Sequence, residues 1–257
     1  MCNTPAPFQA WFATASPHMV ERPDRPAKTI SRYYAVELGQ VEGLTFFFYK
    51  GEVAAIHIHN KAQPSALPTY HRPCSDAQKR GVWIYVPLHK ADRLLRFAVR
   101  EFIKGGRVFL LGTEMAGDII FGKPGHTVST VIGVESTVPL TLVYGESKDD
   151  NFEIPYLGAI RKGQTGHAPN RMFPQAPWPP RVRRNTPVER RMFANPHYTS
   201  APLKDAIEAT VFYSDRKFFY CRGAMFTYKS GLQRAVGECR VGVDECETFS
   251  VVGGLCV

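Results

Sequence analysis

The sequence predicts an all-β protein whose antiparallel strands form a β-prism, a β-sandwich or a barrel-like assembly. Short runs rich in β-branched and aromatic residues recur about every ten residues along most of the chain. Gly, Pro, Asp and Lys separate these runs and indicate turns. Helix signals are scarce, and the best of them, Ser75 to Lys79, predicts a single turn. Regularly spaced short strands are typical of antiparallel sandwiches, prisms and barrels.

Each predicted strand is a β-rich run bounded by turn residues. In the first part of the chain the predicted strands are Tyr33–Leu38, Leu44–Tyr49, Val53–His59, Val82–Leu88, Leu94–Phe102, Val108–Gly112, Asp118–Gly122, Val131–Val134 and Leu140–Tyr144. In the last part they are Ala206–Tyr213, Phe218–Tyr228, Leu232–Val241 and a short strand at Phe249–Val252.

Proline and basic charge divide the chain. Residues 161–200 contain eight Lys and Arg, one Glu and seven Pro, which favours an extended connector on the surface. We therefore expect an N-terminal extension (residues 1–28), the main part of a β-domain (29–160), the connector (161–200) and C-terminal β-hairpins that complete the same domain (201–257). The last part is about 57 residues long, which is small for an independent domain.

Composition narrows the classes of protein that fit. The chain has 257 residues and is 44% hydrophobic, which excludes wholesale disorder. Apolar runs are too short for a membrane span, and the N-terminus lacks a signal-peptide pattern, so we expect a cytoplasmic protein with no membrane partner. The net charge is +9, but most of it falls in the connector, so a nucleic-acid partner is not favoured. No cofactor is predicted, and the oligomeric state is open.

Two segments of the chain have similar patterns. Residues 43–60 and residues 223–240 both show a glycine, an aromatic-rich strand, Tyr-Lys, a turn glycine and a second strand. Each predicts a hairpin whose turn glycine, Gly51 or Gly231, supplies a positive φ. The pattern leaves open whether this is a structural repeat or two hairpins that look alike.

The segment from Leu44 to Gly145 resembles the jacalin-related β-prism lectins. FLLGTEMAGDIIFG is similar to their LxFxTNxG hairpin, and IGVESTVPLTLVYG is similar to their closing pair of strands. The resemblance implies a β-prism fold and carbohydrate binding. The family's sugar loop has the pattern GxxxD, however, and the matching residues Gly133 to Thr137 end in threonine. Separately, Tyr228 to Asp244 resembles a hairpin of uncharacterised fungal proteins.

Three consecutive predicted strands each combine an apolar face with a second face of unusual composition. In a strand, alternate residues point to opposite faces, so Ile56 and Ile58 belong to a core and His57 and His59 oppose them. The same split leaves Trp83, Tyr85 and His89 on one face of the next strand, and Arg96 and Arg100 on one face of the third. If the strands are neighbours, these faces merge into a small-molecule pocket; the alternative is one solvated face of a sheet.

The spacing Gly51-x5-His57-x-His59 matches the opening of the cupin metal-binding motif. The motif's glutamate should follow the second histidine by three or four residues, where this chain has Gln63 and Pro64. The second cupin element is represented only by Pro124-Gly125-His126. We therefore predict no metal ligand set, although the imidazoles themselves suit iron, manganese or zinc.

These observations favour a small-molecule-binding β protein. A strand histidine titrates near neutral pH and a nearby arginine stabilises negative charge, so the same site allows a cofactor-independent isomerase, cyclase or lyase that acts on an apolar metabolite. The alternatives are a jacalin-like lectin, a cupin-like metalloenzyme and a structural or interaction module. The candidate catalytic residues are His57, His59, Tyr85 and Arg100, and the candidate ligand-binding residues are Trp83, His89, Arg96 and Tyr49.

Overall fold

The computed structural model describes residues 30–72, 75–103, 105–125, 127–147, 154, 156–161, 197–214 and 220–251. Antiparallel strands make up most of these residues, which confirms the all-β class. The predicted N-terminal extension and most of the predicted connector lie outside the described residues. The strands are β1 (Ile30–Val36), β2 (Gly43–Tyr49), β3 (Glu52–His59), β4 (Val82–Pro87), β5 (Leu94–Phe102), β6 (Arg107–Thr113), β7 (Gly117–Gly122), β8 (Val128–Glu135), β9 (Leu140–Ser147), β10 (Tyr156–Arg161), β11 (Ala206–Tyr213), β12 (Cys221–Tyr228), β13 (Gln233–Gly237) and β14 (Cys246–Ser250).

Helical structure is limited to short pieces in the described residues. A 3₁₀ turn at Leu38–Gln40 follows β1, and the helices α1 (Leu67–Tyr70) and α2 (Ser75–Arg80) lie between β3 and β4. The turn predicted at Ser75 to Lys79 corresponds to α2. Sequence reasoning missed α1 and β10, and it placed the last strand at Phe249–Val252, although β14 begins at Cys246.

The strands form four antiparallel sheets. Their strand orders are β1-β9-β10, β3-β2-β4, β7-β6-β5-β8 and β13-β12-β11-β14. The first three come from the predicted main part of the β-domain, and the fourth comes from the C-terminal hairpins. Because β4 and β5 belong to different sheets, the chain changes sheet between Pro87 and Leu94.

One hydrophobic core is shared by the first three sheets. The rings of Phe46 on β2 and Phe121 on β7 lie 4.7 Å apart, and Leu142 on β9 joins the same buried cluster. All three sheets therefore turn one face towards the same core. The inner face of the β3-β2-β4 sheet consists of large apolar residues, so this face is fixed against the core.

The fourth sheet packs against β4. Tyr85 on β4, Phe212 on β11 and Cys239 after β13 form one buried cluster. The main-chain N–H of Trp83 donates a hydrogen bond to the Glu238 carboxylate at 3.1 Å. A side chain from the C-terminal part of the chain therefore satisfies a polar group at the edge of β4.

The two similar segments are both hairpins. In the first, Tyr49 pairs with Glu52, and the two turn residues Lys50 and Gly51 have φ values of 54° and 90°. Positive φ at both turn positions is what a two-residue type I′ hairpin requires, and glycine is favoured there. In the second hairpin β12 pairs with β13, and Gly231 in the turn has φ of 80°.

Candidate functional site

His57 and His59 lie on the outer face of the β3-β2-β4 sheet. The register places Thr45 opposite both His57 and Tyr85, and Phe47 opposite both Ala55 and Trp83. Ile56 packs in the main core from the other side of the same strand. We call this outer surface the histidine face; it comprises Gly43, Thr45, Phe47, Ala55, His57, His59, Trp83 and Tyr85.

The histidine face is covered, so the two histidines lie neither in an open pocket nor on a solvated sheet face. The exposed fractions of His57 and His59 are 4% and 2%. The cover is the segment that follows β3, residues 61–72, which we call the covering segment. Its turn is set by Asn60, whose side-chain oxygen accepts hydrogen bonds from the main-chain N–H groups of Ala62 and Gln63, both at 2.9 Å.

Both ring nitrogens of His57 bind the covering segment. Nε2 lies 3.1 Å from the main-chain oxygen of Gln63, and Nδ1 lies 2.8 Å from Oγ1 of Thr69 on α1. A carbonyl oxygen accepts but cannot donate, so Nε2 carries the proton and donates to Gln63. Nδ1 of the neutral ring then accepts the hydroxyl proton of Thr69.

His59 has the opposite tautomer. Its Nδ1 lies 2.9 Å from the main-chain oxygen of Pro64, so this nitrogen carries the proton and donates. Nε2 lies 2.7 Å from Oγ1 of Thr45 and accepts its hydroxyl proton. The two rings contact each other edge to face, with centroids 4.6 Å apart. All four ring nitrogens are thus engaged with protein groups.

The environment of the two rings favours their neutral forms. Burial, with a smaller contribution from the neighbouring His57, lowers the pKa of His59 to about 4. Burial also lowers the pKa of His57, and the charge of Arg72 adds to this effect. Because a charged imidazole would be both desolvated and close to a second ring, the pair remains neutral at physiological pH.

Trp83 and Tyr85 lie on the same face of the sheet as the two histidines. The ring centroid of Tyr85 is 5.0 Å from that of His59, and its hydroxyl donates to the main-chain oxygen of Glu42. Burial raises the pKa of Tyr85 well above its ordinary value. Trp83 is buried under Tyr70 of the covering segment, and the guanidinium of Arg240 lies 4.8 Å from its ring centroid.

A second segment completes the cover. Residues 239–242 follow β13, where Cys239 packs against Tyr85 and Arg240 lies over Trp83. The two covering pieces meet at Gly242, where an added Cβ would lie 3.4 Å from the Cβ of Ser65. The pieces come from sequence positions about 180 residues apart.

Arg96 and Arg100 do not join the histidine face, which corrects the prediction of a single merged surface. Both lie on β5, in a different sheet from β4. They alternate with Phe97 and Val99, which pack in the main core, so they occupy the outer face of their own sheet. Arg96 is bound to Asp118 at 2.6 Å, and burial lowers the pKa of Arg100.

Tyr49 and His89 also lie apart from the histidines. The Tyr49 hydroxyl donates to the carboxylate of Asp76 on α2, so it ties a strand end to a helix. His89 is an exposed residue after β4, and its Nδ1 accepts a hydrogen bond from the main-chain N–H of Ala91. The candidate set therefore separates into a buried group of four residues and four residues elsewhere.

The sites expected by analogy with cupins and lectins are only partly described. His126 lies outside the described residues, and within the described ranges no three His, Cys, Asp or Glu side chains cluster as a metal site would require. Gly133 to Glu135, the start of the segment that resembles the lectin loop, belong to β8 and pair with β5. Cys221 and Cys239 are free thiols, the first exposed and the second buried.

A surface concavity of about 360 Å³ lies at the turn end of the second hairpin. We call it the Arg234 concavity. Its apolar lining includes Tyr228 and Leu232, and its charged residues are Lys204, Asp205, Lys229 and Arg234. A second concavity of about 480 Å³ shares Lys204, Asp205 and Lys229 with it. The remaining lining residues of the Arg234 concavity are Ala116, Pro202 and Ser230.

Arg234 is the unusual residue of this concavity because it is buried and incompletely bonded. Its exposed fraction is 7%. Nη2 donates to the main-chain oxygens of Ala116 and Asp118, whereas Nη1 is buried without a hydrogen-bond partner. Burial lowers the pKa of Arg234, and Tyr228, Asp118 and Asp92 oppose that effect.

Sequence reasoning missed Arg234, although the chain contains a signal for it. In the strand pattern of the second hairpin, Leu232, Arg234 and Val236 share one face, and Arg234 pairs with the apolar Phe226. A charged residue on an otherwise apolar strand face is an informative exception. The pattern alone does not distinguish an arginine that bonds to groups of the protein from one that binds a ligand.

Fold and geometry together define an antiparallel all-β protein with a sealed histidine face and an open, basic concavity. Comparisons of the chain with protein-family models, with curated proteins and with solved structures find no match. The resemblances to jacalin-related lectins and to fungal proteins therefore remain predictions. Among the described residues no helix has both the length and the apolar character needed to cross a membrane.

Proposed function

We propose that the chain is a small-molecule-binding β protein that takes its ligand in the Arg234 concavity. The observation that carries this proposal is the combination of apolar walls with a buried guanidinium that has an unused donor. Ligand sites in proteins are typically concave and apolar, with a few polar groups that fix the orientation of the ligand. At about 360 Å³ the concavity has the size of a site for a small molecule.

The acid/base reaction considered from the sequence finds little support in the geometry of the histidine face. A general base must reach the proton that it removes, either directly or through one water molecule. His57 and His59 are sealed beneath the covering segment, and their nitrogens are occupied by Gln63, Pro64, Thr45 and Thr69. We therefore assign the pair a structural role.

A ligand screen with a spatial readout tests the proposal. We would record amide chemical shifts of the labelled protein in the presence of a fragment library. Ligands should shift the amides of residues 228–234 and of Asp205, while the buried strand β6 serves as an internal reference. Hits confined to the histidine face, or a library without a hit at the concavity, would contradict the proposal.

A further inference from the structure

We infer that the Arg234 concavity recognises an amphipathic monocarboxylate, with its carboxylate near Arg234 and its apolar body along Tyr228 and Leu232. This inference rests on the proposed function, because it names the ligand class of the same site. Three features carry it: the unused donor of Arg234, the balance of charge around the concavity and the apolar wall.

The acceptor that Arg234 lacks is not supplied by the neighbouring acids. Asp118 and Asp92 are close enough to raise the pKa of Arg234, but both carboxylates already bind other groups. Asp118 binds Arg96 at 2.6 Å, and the Asp92 carboxylate accepts main-chain N–H groups of Arg93, Met115 and Ala116. A carboxylate oxygen from a ligand matches the planar donor set of a guanidinium.

The rim of the concavity adds positive charge. Lys204 and Lys229 line it together with one acid, Asp205, which forms an exposed ion pair with Lys229 at 3.3 Å. With Arg234, the lining therefore contains three cations and one anion. This modest excess suits a ligand with a single negative charge.

The apolar wall provides the second half of the recognition. The ring of Tyr228 is largely buried, and its hydroxyl is already used by the main-chain oxygen of Pro202 at 2.7 Å. Tyr228 therefore presents a hydrocarbon surface to the concavity rather than a free donor. Leu232, Pro202 and Ala116 extend this surface, and they favour an alkyl or aromatic body over a polar sugar.

The experiment uses octanoate as the probe, with neutral octanamide as its matched control, and measures binding by calorimetry and amide shifts at low ionic strength. Octanoate should bind at least five-fold more tightly than octanamide, and the preference should weaken in salt. Asp205→Asn removes the one acid of the rim and should tighten octanoate binding about two- to five-fold, without affecting octanamide. Asp205 has φ of 63°, a conformation that asparagine also tolerates.

The double variant Lys204→Gln, Lys229→Gln should weaken octanoate binding about five-fold or more. Lys61→Gln, Lys90→Gln is its matched control, since these lysines are exposed and lie outside the concavity. Equal affinity for octanoate and octanamide at this site would overturn the inference and leave the proposed function standing. Failure of both probes to bind overturns the inference, and if the fragment screen also finds nothing here, the proposed function falls as well.

Discussion

The Nδ1–H group of His59 donates a hydrogen bond of 2.9 Å to the main-chain oxygen of Pro64. The Nε2–H group of His57 donates to the preceding carbonyl, that of Gln63, at 3.1 Å. Two imidazoles on one strand face thus hold two consecutive carbonyls of the segment that returns over them. The covering segment is attached to the sheet through groups that would otherwise be buried polar atoms without partners.

The first prediction concerns the loss of either imidazole. His57→Ala and His59→Ala should each lower the free energy of unfolding by about 2–4 kcal/mol, because each leaves a cavity and unpaired polar groups under the covering segment. Chemical denaturation at pH 7.5 measures this. His71→Ala, which changes an exposed histidine of the same segment, is the control. Unchanged stability of both variants would show that the face is open in solution.

The second prediction is a pH dependence of stability. The folded-state pKa of His59, about 4, is below the value of about 6.5 for an unfolded chain, so the unfolded chain binds more protons between these values. The contribution of His59 to the free energy of unfolding is fully present above pH 6.5. It should fall by about 3 kcal/mol as the pH drops to 4. The pKa of His57 is also lowered, so its contribution to stability also decreases at low pH.

Unfolding at pH 7, 5.5 and 4.5 measures this effect, and comparison with His59→Gln isolates it from the carboxylates. In His59→Gln the free energy of unfolding should depend much less steeply on pH between 6.5 and 4. In His71→Gln the dependence should be the same as in the wild type. Parallel pH curves for the wild type and His59→Gln would contradict the assignment.

The alternation within β3 was predictable from sequence, but the covering of its outer face was not. Ile56 faces the main core and His57 faces away, as the period of two requires. The cover is formed by a loop and by residues 239–242, whose meeting at Gly242 is a long-range contact that no local pattern encodes. The predicted position of Arg100 is wrong for the same kind of reason: it requires consecutive strands to be neighbours, whereas β4 and β5 belong to different sheets.

The strand β10 was missed because its signal is weak. Tyr156–Arg161 is short and has Gly158 in its interior, where glycine lowers the strand signal. The main-chain groups of β10 form hydrogen bonds with β9, and this pairing depends on register rather than on side-chain composition. The fold class, by contrast, depends on the repeated spacing of β-rich runs, and it was confirmed.

The third prediction concerns Gly43, at the edge of the histidine face. A Cβ at this position would lie 2.5 Å from the Tyr85 ring, so the ring packs over the glycine because it has no side chain. Gly43→Ala should therefore lower the free energy of unfolding by about 1–3 kcal/mol. The double variant with Tyr85→Leu should show a smaller additional loss from the alanine. Equal losses in both backgrounds would contradict the contact.

The fourth prediction concerns the hydroxyl groups that complete the imidazole bonding. Thr45→Val and Thr69→Val keep the side-chain shape but remove the proton that each ring nitrogen accepts. Each should cost about 1–3 kcal/mol, because a buried nitrogen is left without a donor. Denaturation measures this, with exposed Thr137→Val as the control. If neither valine variant changes the free energy of unfolding, water must reach the imidazole rings.

The imidazole nitrogen spectrum measures the structural role of the histidine face most directly. Long-range ¹⁵N–¹H correlation at pH 7.5 should show His57 as the Nε2–H tautomer and His59 as the Nδ1–H tautomer, and His59 should keep its tautomer at pH 5.5. His59 should not titrate near pH 6.5, His57 should titrate below its ordinary range, and both tautomers should remain unchanged at pH 7.5 when octanoate is added. Rapid exchange between tautomers, or titration near pH 6.5 as for a solvent-exposed imidazole, would contradict the account and return the pair to candidacy as an acid/base site.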